Sequence, residues 1–218
     1  MPRIIDVLLS LLALLVLLPL FIPIVIILLL TGEHKVFYLQ TRVGYKNKDF
    51  KIIKFATMLS NSANMGSGSL TLKNDPRVLP FGTFLRKTKI NELPQILNII
   101  IGDLSIVGPR PQMQVDFEKY SDEVQKKIYN VRPGLTGIGS IIFRDEESLI
   151  SLAAENENPH DFYKRVIAPY KGELEIWYHS HRSVFLDSQL IFITAWAIVA
   201  PETRLYEKWF KDLPKRKF

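Results

Sequence analysis

Two residues in the stretch Arg86–Pro111, RKTKINELPQILNIIIGDLSIVGPRP, have the chemistry of a phosphate site. Glu92 offers a carboxylate at what reads as a helix start. Arg110 is locked between Pro109 and Pro111. Prolines on both sides hold the backbone extended, so the guanidinium loses little entropy when it forks onto phosphate oxygens. Asn91 precedes Glu92, where acid chemistry would want a second carboxylate. Two plainer readings stay open at this point. Asn91 and Glu92 can simply cap a core helix, and Arg110 can be a solvated arginine in a Pro-rich loop.

The element that must carry Glu92 is a helix. Leu93, Ile96, Leu97 and Ile100 recur at i, i+3, i+4 and i+7, an amphipathic spacing. Asn91 is a favoured N-cap residue, Pro94 is tolerable in the first turn, and Gly102 ends the run. First-turn amides and the helix dipole suit an anion or Mg²⁺-bound phosphate.

Val7–Leu30 is an uncharged run. A continuous helix of roughly 24 residues would cross a hydrocarbon core of about 30 Å. Pro19 and Pro23 lie inside it, so a kinked or broken helix is expected. Two half-helices entering and leaving on one face would make a re-entrant hairpin. Hydropathy does not choose between that and a span. A cleaved signal peptide is disfavoured, because the run is too long and no small-x-small site follows. Lys35, Arg42, Lys46, Lys48, Lys51 and Lys54 come soon after. The positive-inside rule then keeps the globular part in the cytoplasm.

The chain has no cysteine, in keeping with a reducing compartment, and a formal net charge of +6. Beside an apolar anchor, that charge points to a membrane surface and not to nucleic acid. Tyr206, Trp209, Phe210 and Phe218 mix with Lys208, Lys211, Lys215, Arg216 and Lys217, as suits a headgroup layer. Val184–Ala200 reads as an interfacial helix or a core helix. Phe50–Phe55 reads as a strand, Asn61–Leu70 as a mobile loop, and Arg132–Gly137 as a turn. Asp116–Asn130 and Ala153–Ala168 read as solvent-facing helices. There is no internal repeat, His/Cys metal cluster, Walker-type loop or Ser/His nucleophile pair, and the four histidines carry no assigned role. The expected fold class is α+β and mainly helical. Its expected divisions are a re-entrant membrane helix hairpin at 1–32, a cytoplasmic catalytic domain with interfacial helices at 33–200, and a basic-aromatic membrane-surface tail at 201–218.

Several motifs together resemble the bacterial sugar transferases, the small monotopic phosphoglycosyl transferases. They are Asp6 before a proline-broken apolar segment, Gln40-x-Arg42-x-Gly44, Phe50-Lys51-Ile52-x-Lys54-Phe55-x-Thr57-Met58 and Gly82-x-x-Leu85-Arg86. They continue with Glu92-Leu93-Pro94-Gln95, Gly102-Asp103-x-Ser105-x-Val107-Gly108-Pro109-Arg110-Pro111 and Val131-Arg132-Pro133-Gly134-x-Thr136-Gly137. The resemblance implies a monotopic membrane protein of the bacterial inner (cytoplasmic) membrane, with its site at the cytoplasmic surface. It implies transfer of a sugar-1-phosphate from a UDP-sugar to polyprenyl (undecaprenyl) phosphate, releasing UMP, as the first membrane step of glycan assembly. The implied partners are UDP-sugar, polyprenyl phosphate and membrane lipid, with a homodimer left open. Arg110 and Mg²⁺ would hold the diphosphate, Glu92 would act as metal ligand or general base, and Arg86 and Arg132 would assist. Four positions depart from the family pattern. Asn91 stands in place of a nucleophilic Asp, Ala56 of a lysine, Ile138 of a tryptophan and Ile22 of a serine. Asn91 keeps the cap geometry but neither charge nor nucleophile. A catalytically silent membrane-bound scaffold is therefore the alternative function.

Overall fold

The computed structural model describes residues 1–200 and 203–218. In chain order the elements are α1 (Arg3–Leu30), β1 (Phe37–Val43), β2 (Asp49–Phe55), α2 (Pro80–Lys87), α3 (Gln95–Ile101), β3 (Ser105–Val107), α4 (Gln114–Phe117) and α5 (Asp122–Lys127). They continue as β4 (Gly134–Thr136), α6 (Ile138–Ile142), α7 (Glu146–Ala153), α8 (Pro159–Phe162), α9 (Ala168–His181), α10 (Val184–Val199) and α11 (Leu205–Trp209). The chain is mainly helical, as composition and periodicity predict.

Of the kinked or broken helix expected for α1, the break is absent. The helix runs unbroken through Pro19 and Pro23. Each proline removes only one donor, and a long apolar helix keeps its remaining ladder. It is long and apolar enough to cross a membrane, and most of it is exposed. Yet both of its ends hold to the same globular body. Near the N-terminus the buried Asp6 carboxylate accepts from Ser105 Oγ and the Ile106 amide of β3. Arg3 donates to the Ile100 carbonyl at the end of α3. Towards the other end, Ile24 and Leu28 pack with Phe55 and Leu85.

β1 and β2 pair antiparallel, with Tyr38 opposite Lys54, Gln40 opposite Ile52 and Arg42 opposite Phe50. Paired residues share a face, so this register gathers Tyr38, Gln40, Arg42 and Lys54 on one side of the ribbon. The segment Arg132–Gly137 corrects the expected turn. Its Gly134–Thr136 is strand β4, parallel to β3. Gly108 and Gly134 allow the close approach, since a Cβ on Gly134 would sit 2.1 Å from the Gly108 nitrogen.

The main core gathers Phe117, Tyr129, Ile138, Tyr163, Leu174 and Leu190. Two predicted solvent-facing helices are therefore corrected. Within 116–130 the helix is split, and Phe117, Ile128 and Tyr129 are buried. Within 153–168, Tyr163 and Ile167 form part of a buried π-helical turn. α10 is a core helix on one face, with apolar side chains left exposed on the other. Leu190 and Ile193 are in the core, while Phe185 and Val199 stay exposed. The loop Asn61–Leu70 is pinned and not free. Arg77 donates to the carbonyls of Ser62, Met65, Gly68 and Leu70. The tail packs on the domain through buried Phe210 and the bond from Trp177 Nε1 to Asp212. Its expected first residues, Pro201 and Glu202, lie outside the described residues.

Candidate active site

Glu92 ends a 3₁₀ turn, Ile90–Glu92, entered through Lys89 in the left-handed conformation. This corrects the predicted cap. Asn91 makes no capping bond, and Pro94 is the N-cap of α3. The Asn91 side chain is buried, with Oδ1 unpartnered. Gly102 does end α3, in the left-handed conformation at φ 116°. α3 is strapped to β2 by Asn98, whose Oδ1 accepts from the Ile53 amide and whose Nδ2 donates to the Lys51 carbonyl. The strap sets Glu92 beside Lys54.

Lys54 Nζ donates to Glu92 Oε1 at 3.2 Å, and Arg110 Nη2 donates to the same oxygen at 2.9 Å. Arg110 is aimed by its backbone. Tyr129 Oη donates to the Arg110 carbonyl and accepts from the Gln112 amide. Arg42 is held beside it, donating to Gln40 Oε1 and to the Pro111 carbonyl. Three cations thus surround one carboxylate, an excess of positive charge in a partly buried site.

The electrostatics follow from that imbalance. Burial pushes the Glu92 carboxyl up, but Arg110 and Lys54 outweigh it and hold the group well below 4.5. Burial pushes the Lys54 ammonium down. Glu92 pulls it back, Arg110 and Arg42 push it further down, and it lies at about 8. Arg42 is lowered by burial and then by Arg110. Glu92 raises Arg110 above its ordinary value. A carboxylate so strongly ionised is a poor general base, so of its two expected roles, metal ligand or general base, the geometry favours the first.

These groups line one cavity of ≈820 Å³. Its second wall is apolar, from Ala13 and Leu17 of α1, Ile96 of α3, and Ile191 and Ile198 of α10. Arg86 also lines it, paired with Glu147 at 2.6 Å. Arg132 does not. It is exposed, donates to the Gly102 carbonyl and packs over the Tyr45 ring. Pro109 and Pro111 act through the backbone. The Pro109 carbonyl accepts from the Gly134 amide, and the Pro111 carbonyl accepts from Arg42. Pro19 and Pro23 lie in α1, away from the cavity lining. Lys54, Arg42 and Tyr129 were given no role by sequence reasoning. The polar alternation Tyr38-x-Gln40-x-Arg42 is the signal for Arg42, and Lys54, opposite Tyr38 on β2, joins it only once the ribbon register is known.

No group of three or more His, Cys, Asp or Glu side chains placed to hold a metal occurs among the described residues. Mg²⁺ commonly takes one or two protein oxygens and completes its shell with phosphates and water. Glu92 Oε2, left by the two cations on Oε1, and the unpartnered Asn91 Oδ1 fit that pattern.

The bacterial sugar transferase family model matches residues 1–201. The chain belongs to the bacterial sugar transferase family. It is 38% identical over 163 residues to the exopolysaccharide production protein ExoY of Sinorhizobium fredii, a match covering 68% of this chain and 72% of ExoY. It is 31% identical over 191 residues to the UDP-N-acetylgalactosamine-undecaprenyl-phosphate N-acetylgalactosaminephosphotransferase of Aeromonas hydrophila, covering 87% of this chain and 41% of that longer protein. The UDP-glucose:undecaprenyl-phosphate glucose-1-phosphate transferase of Escherichia coli is 32% identical over 191 residues, with 87% and 38% covered.

Proposed function

We propose that this chain is a phosphoglycosyl transferase that moves a sugar-1-phosphate from a UDP-sugar to polyprenyl phosphate, giving polyprenyl-diphosphate-sugar and UMP. The observation that carries this reading is the cavity itself. Arg42, Lys54 and Arg110 crowd one carboxylate, next to a wall built from the two longest apolar helices. That is a place for a diphosphate beside a prenyl chain. The relatives named for undecaprenyl-phosphate transfer support the reaction class, and they act on different sugars.

The mechanism we infer is direct. An oxygen of the lipid phosphate attacks the sugar-bearing phosphorus of the donor. The new P–O bond forms as the bond from that phosphorus to the UMP oxygen breaks, and UMP leaves with the electron pair. A phosphate anion needs no general base, in keeping with a Glu92 held ionised by two cations. Arg110 and Lys54 place the diphosphate and stabilise charge on its oxygens. Glu92 and Asn91 would hold Mg²⁺, which when bound neutralises charge on the leaving nucleotide.

The same reading places the protein at the bacterial inner membrane, with its globular part on the cytoplasmic face. Both ends of α1 are tied to one body, at Asp6–Ser105 and at Leu28–Phe55. This supports a monotopic, re-entrant seat with both ends of α1 on one side of the membrane and its exposed apolar side chains, from Ile4 to Leu30, in lipid. Asn91 supports the competing reading of a silent binding relative, since an amide cannot form the covalent phosphosugar. A transfer assay with radiolabelled UDP-sugars and undecaprenyl phosphate, run beside Asn91→Asp, separates the two. Lipid-linked label from the unaltered protein is the expected result. Tight nucleotide binding with no transfer from any donor would select the silent relative.

A further inference from the structure

Beyond the cation cluster, the cavity has a second polar lobe that the transfer step leaves unused. Lys171 of α9 is buried, at 4% exposure, and donates to both carboxylate oxygens of Glu146 at 2.7 Å. Its ammonium also sits over the Phe143 ring, 5.1 Å from the centroid. Ser140 faces the same space with its Oγ buried and unpartnered. Next to them, Arg86 is paired with Glu147. A buried ion pair is costly unless its spare lone pairs and protons are satisfied. Here Glu146 and Ser140 line a cavity wide enough for a ligand, and the Ser140 Oγ has no partner in the protein.

Charge separates this lobe from the phosphate cluster. Arg42, Lys54 and Arg110 exceed their one carboxylate, whereas in the lobe Lys171 pairs with Glu146 and has the buried Glu175 beside it, Arg86 pairs with Glu147, and Arg144 lines the same space, so carboxylates match cations there. A charge-balanced lobe rich in donors and acceptors attracts no phosphate but satisfies hydroxyls. The two clusters adjoin, since Arg110, Glu146 and Lys171 line the same cavity.

We propose that the Glu146–Lys171–Ser140 lobe is the site that reads the donor's sugar, taking an uncharged hexose through its hydroxyls; this rests on the transferase reading above. The diphosphate on the cations would then set the sugar in this lobe. A donor whose sugar bears a carboxylate would meet Glu146 and Glu147 and bind less well.

The test is a titration of the full-length protein in lipid nanodiscs with UDP-glucose, UDP-glucuronate and UMP. The unaltered protein should favour UDP-glucose over UDP-glucuronate by about tenfold or more, the scale of one lost hydrogen bond or one unpaired charge. Glu146→Gln removes the carboxylate paired with Lys171, so it should narrow or reverse that preference while UMP affinity stays within about twofold. Ser140→Ala loses a hydroxyl that bonds nothing in the protein, so it should fold normally. It should weaken UDP-glucose several-fold and leave UMP unchanged. UMP weakening in parallel with UDP-glucose in both variants would make the lobe a nucleotide site and overturn the proposal. An unchanged sugar preference in Glu146→Gln would overturn it too. UMP binding without binding of any UDP-sugar by the unaltered protein would instead contradict the transferase reading on which the proposal stands.

Discussion

Arg110 Nη2 donates to Glu92 Oε1 at 2.9 Å, so the guanidinium offered to a diphosphate is already oriented by a carboxylate across the cavity. The pairing pre-sets its angle and keeps Glu92 ionised. A ligand phosphate can take up the remaining donors of the fork without reorganising the loop, since Tyr129 fixes the Arg110 backbone.

Arg110→Lys should therefore lose much of the activity. An ammonium keeps the charge but cannot fork onto two oxygens. The expected loss is of order 10² in rate, comparable to removing one preorganised donor. Steady-state kinetics with a UDP-sugar and undecaprenyl phosphate measure it. Unchanged turnover would return Arg110 to the role of a solvated loop residue.

Glu92→Gln should separate binding from turnover. It removes the one carboxylate among three cations, so UMP should bind at least as tightly as to the unaltered protein. Transfer should be abolished, because a neutral amide gives neither the anionic ligand Mg²⁺ would need there nor the charge that orients Lys54 and Arg110. Isothermal titration with UMP beside the transfer assay reads both. A Glu92→Gln protein with full turnover would exclude Glu92 from the site.

Lys54 sets a pH limit. Its ammonium lies at about 8 in the fold, so the charged form that holds the diphosphate is present below that value and lost above it. The kcat/KM for the donor should fall as pH rises through about 8. Lys54→Arg keeps its charge there, so this limb should move to higher pH. A pH profile identical in both proteins would remove Lys54 from donor binding.

Residue type alone singles out Glu92 and Arg110 but leaves a helix cap and a solvated loop arginine as plainer readings; the contact between the two in the fold is what joins them in one site. Arg86 also lines the cavity. Lys54 and Arg42 were not legible as site residues, because only the β1–β2 register puts them on one face. Arg132 looked equivalent to Arg86 in sequence, but the parallel pairing of β3 with β4 carries it to the outside, over Tyr45. Asn91 has the propensity of a cap. Pro94 supplies the N-cap instead, because the 3₁₀ turn before it is entered through Lys89. The helical course of α1 through Pro19 and Pro23 was illegible for a similar reason. Propensity at two positions is overridden by a long apolar ladder docked at both ends.

That docking makes a topological prediction. Single cysteines at Pro2 and at Lys35, either side of α1, should be labelled by an impermeant reagent from the same side of oriented vesicles. Asp6→Ala should weaken this by freeing the N-terminal end from Ser105 and Ile106. Labelling from opposite sides in the unaltered background would show a true span.

The central claim is direct transfer from UDP-sugar to lipid phosphate by a site whose Asp position is Asn91. The most direct measurement is UMP release by the purified protein with and without undecaprenyl phosphate. UMP should appear only when donor and lipid are both present, in step with lipid-linked diphosphosugar. Asn91→Asp should add acceptor-independent release and a phosphosugar on the protein. Acceptor-independent UMP from the unaltered protein would contradict direct transfer, and absence of UMP with every UDP-sugar would contradict the transferase reading itself.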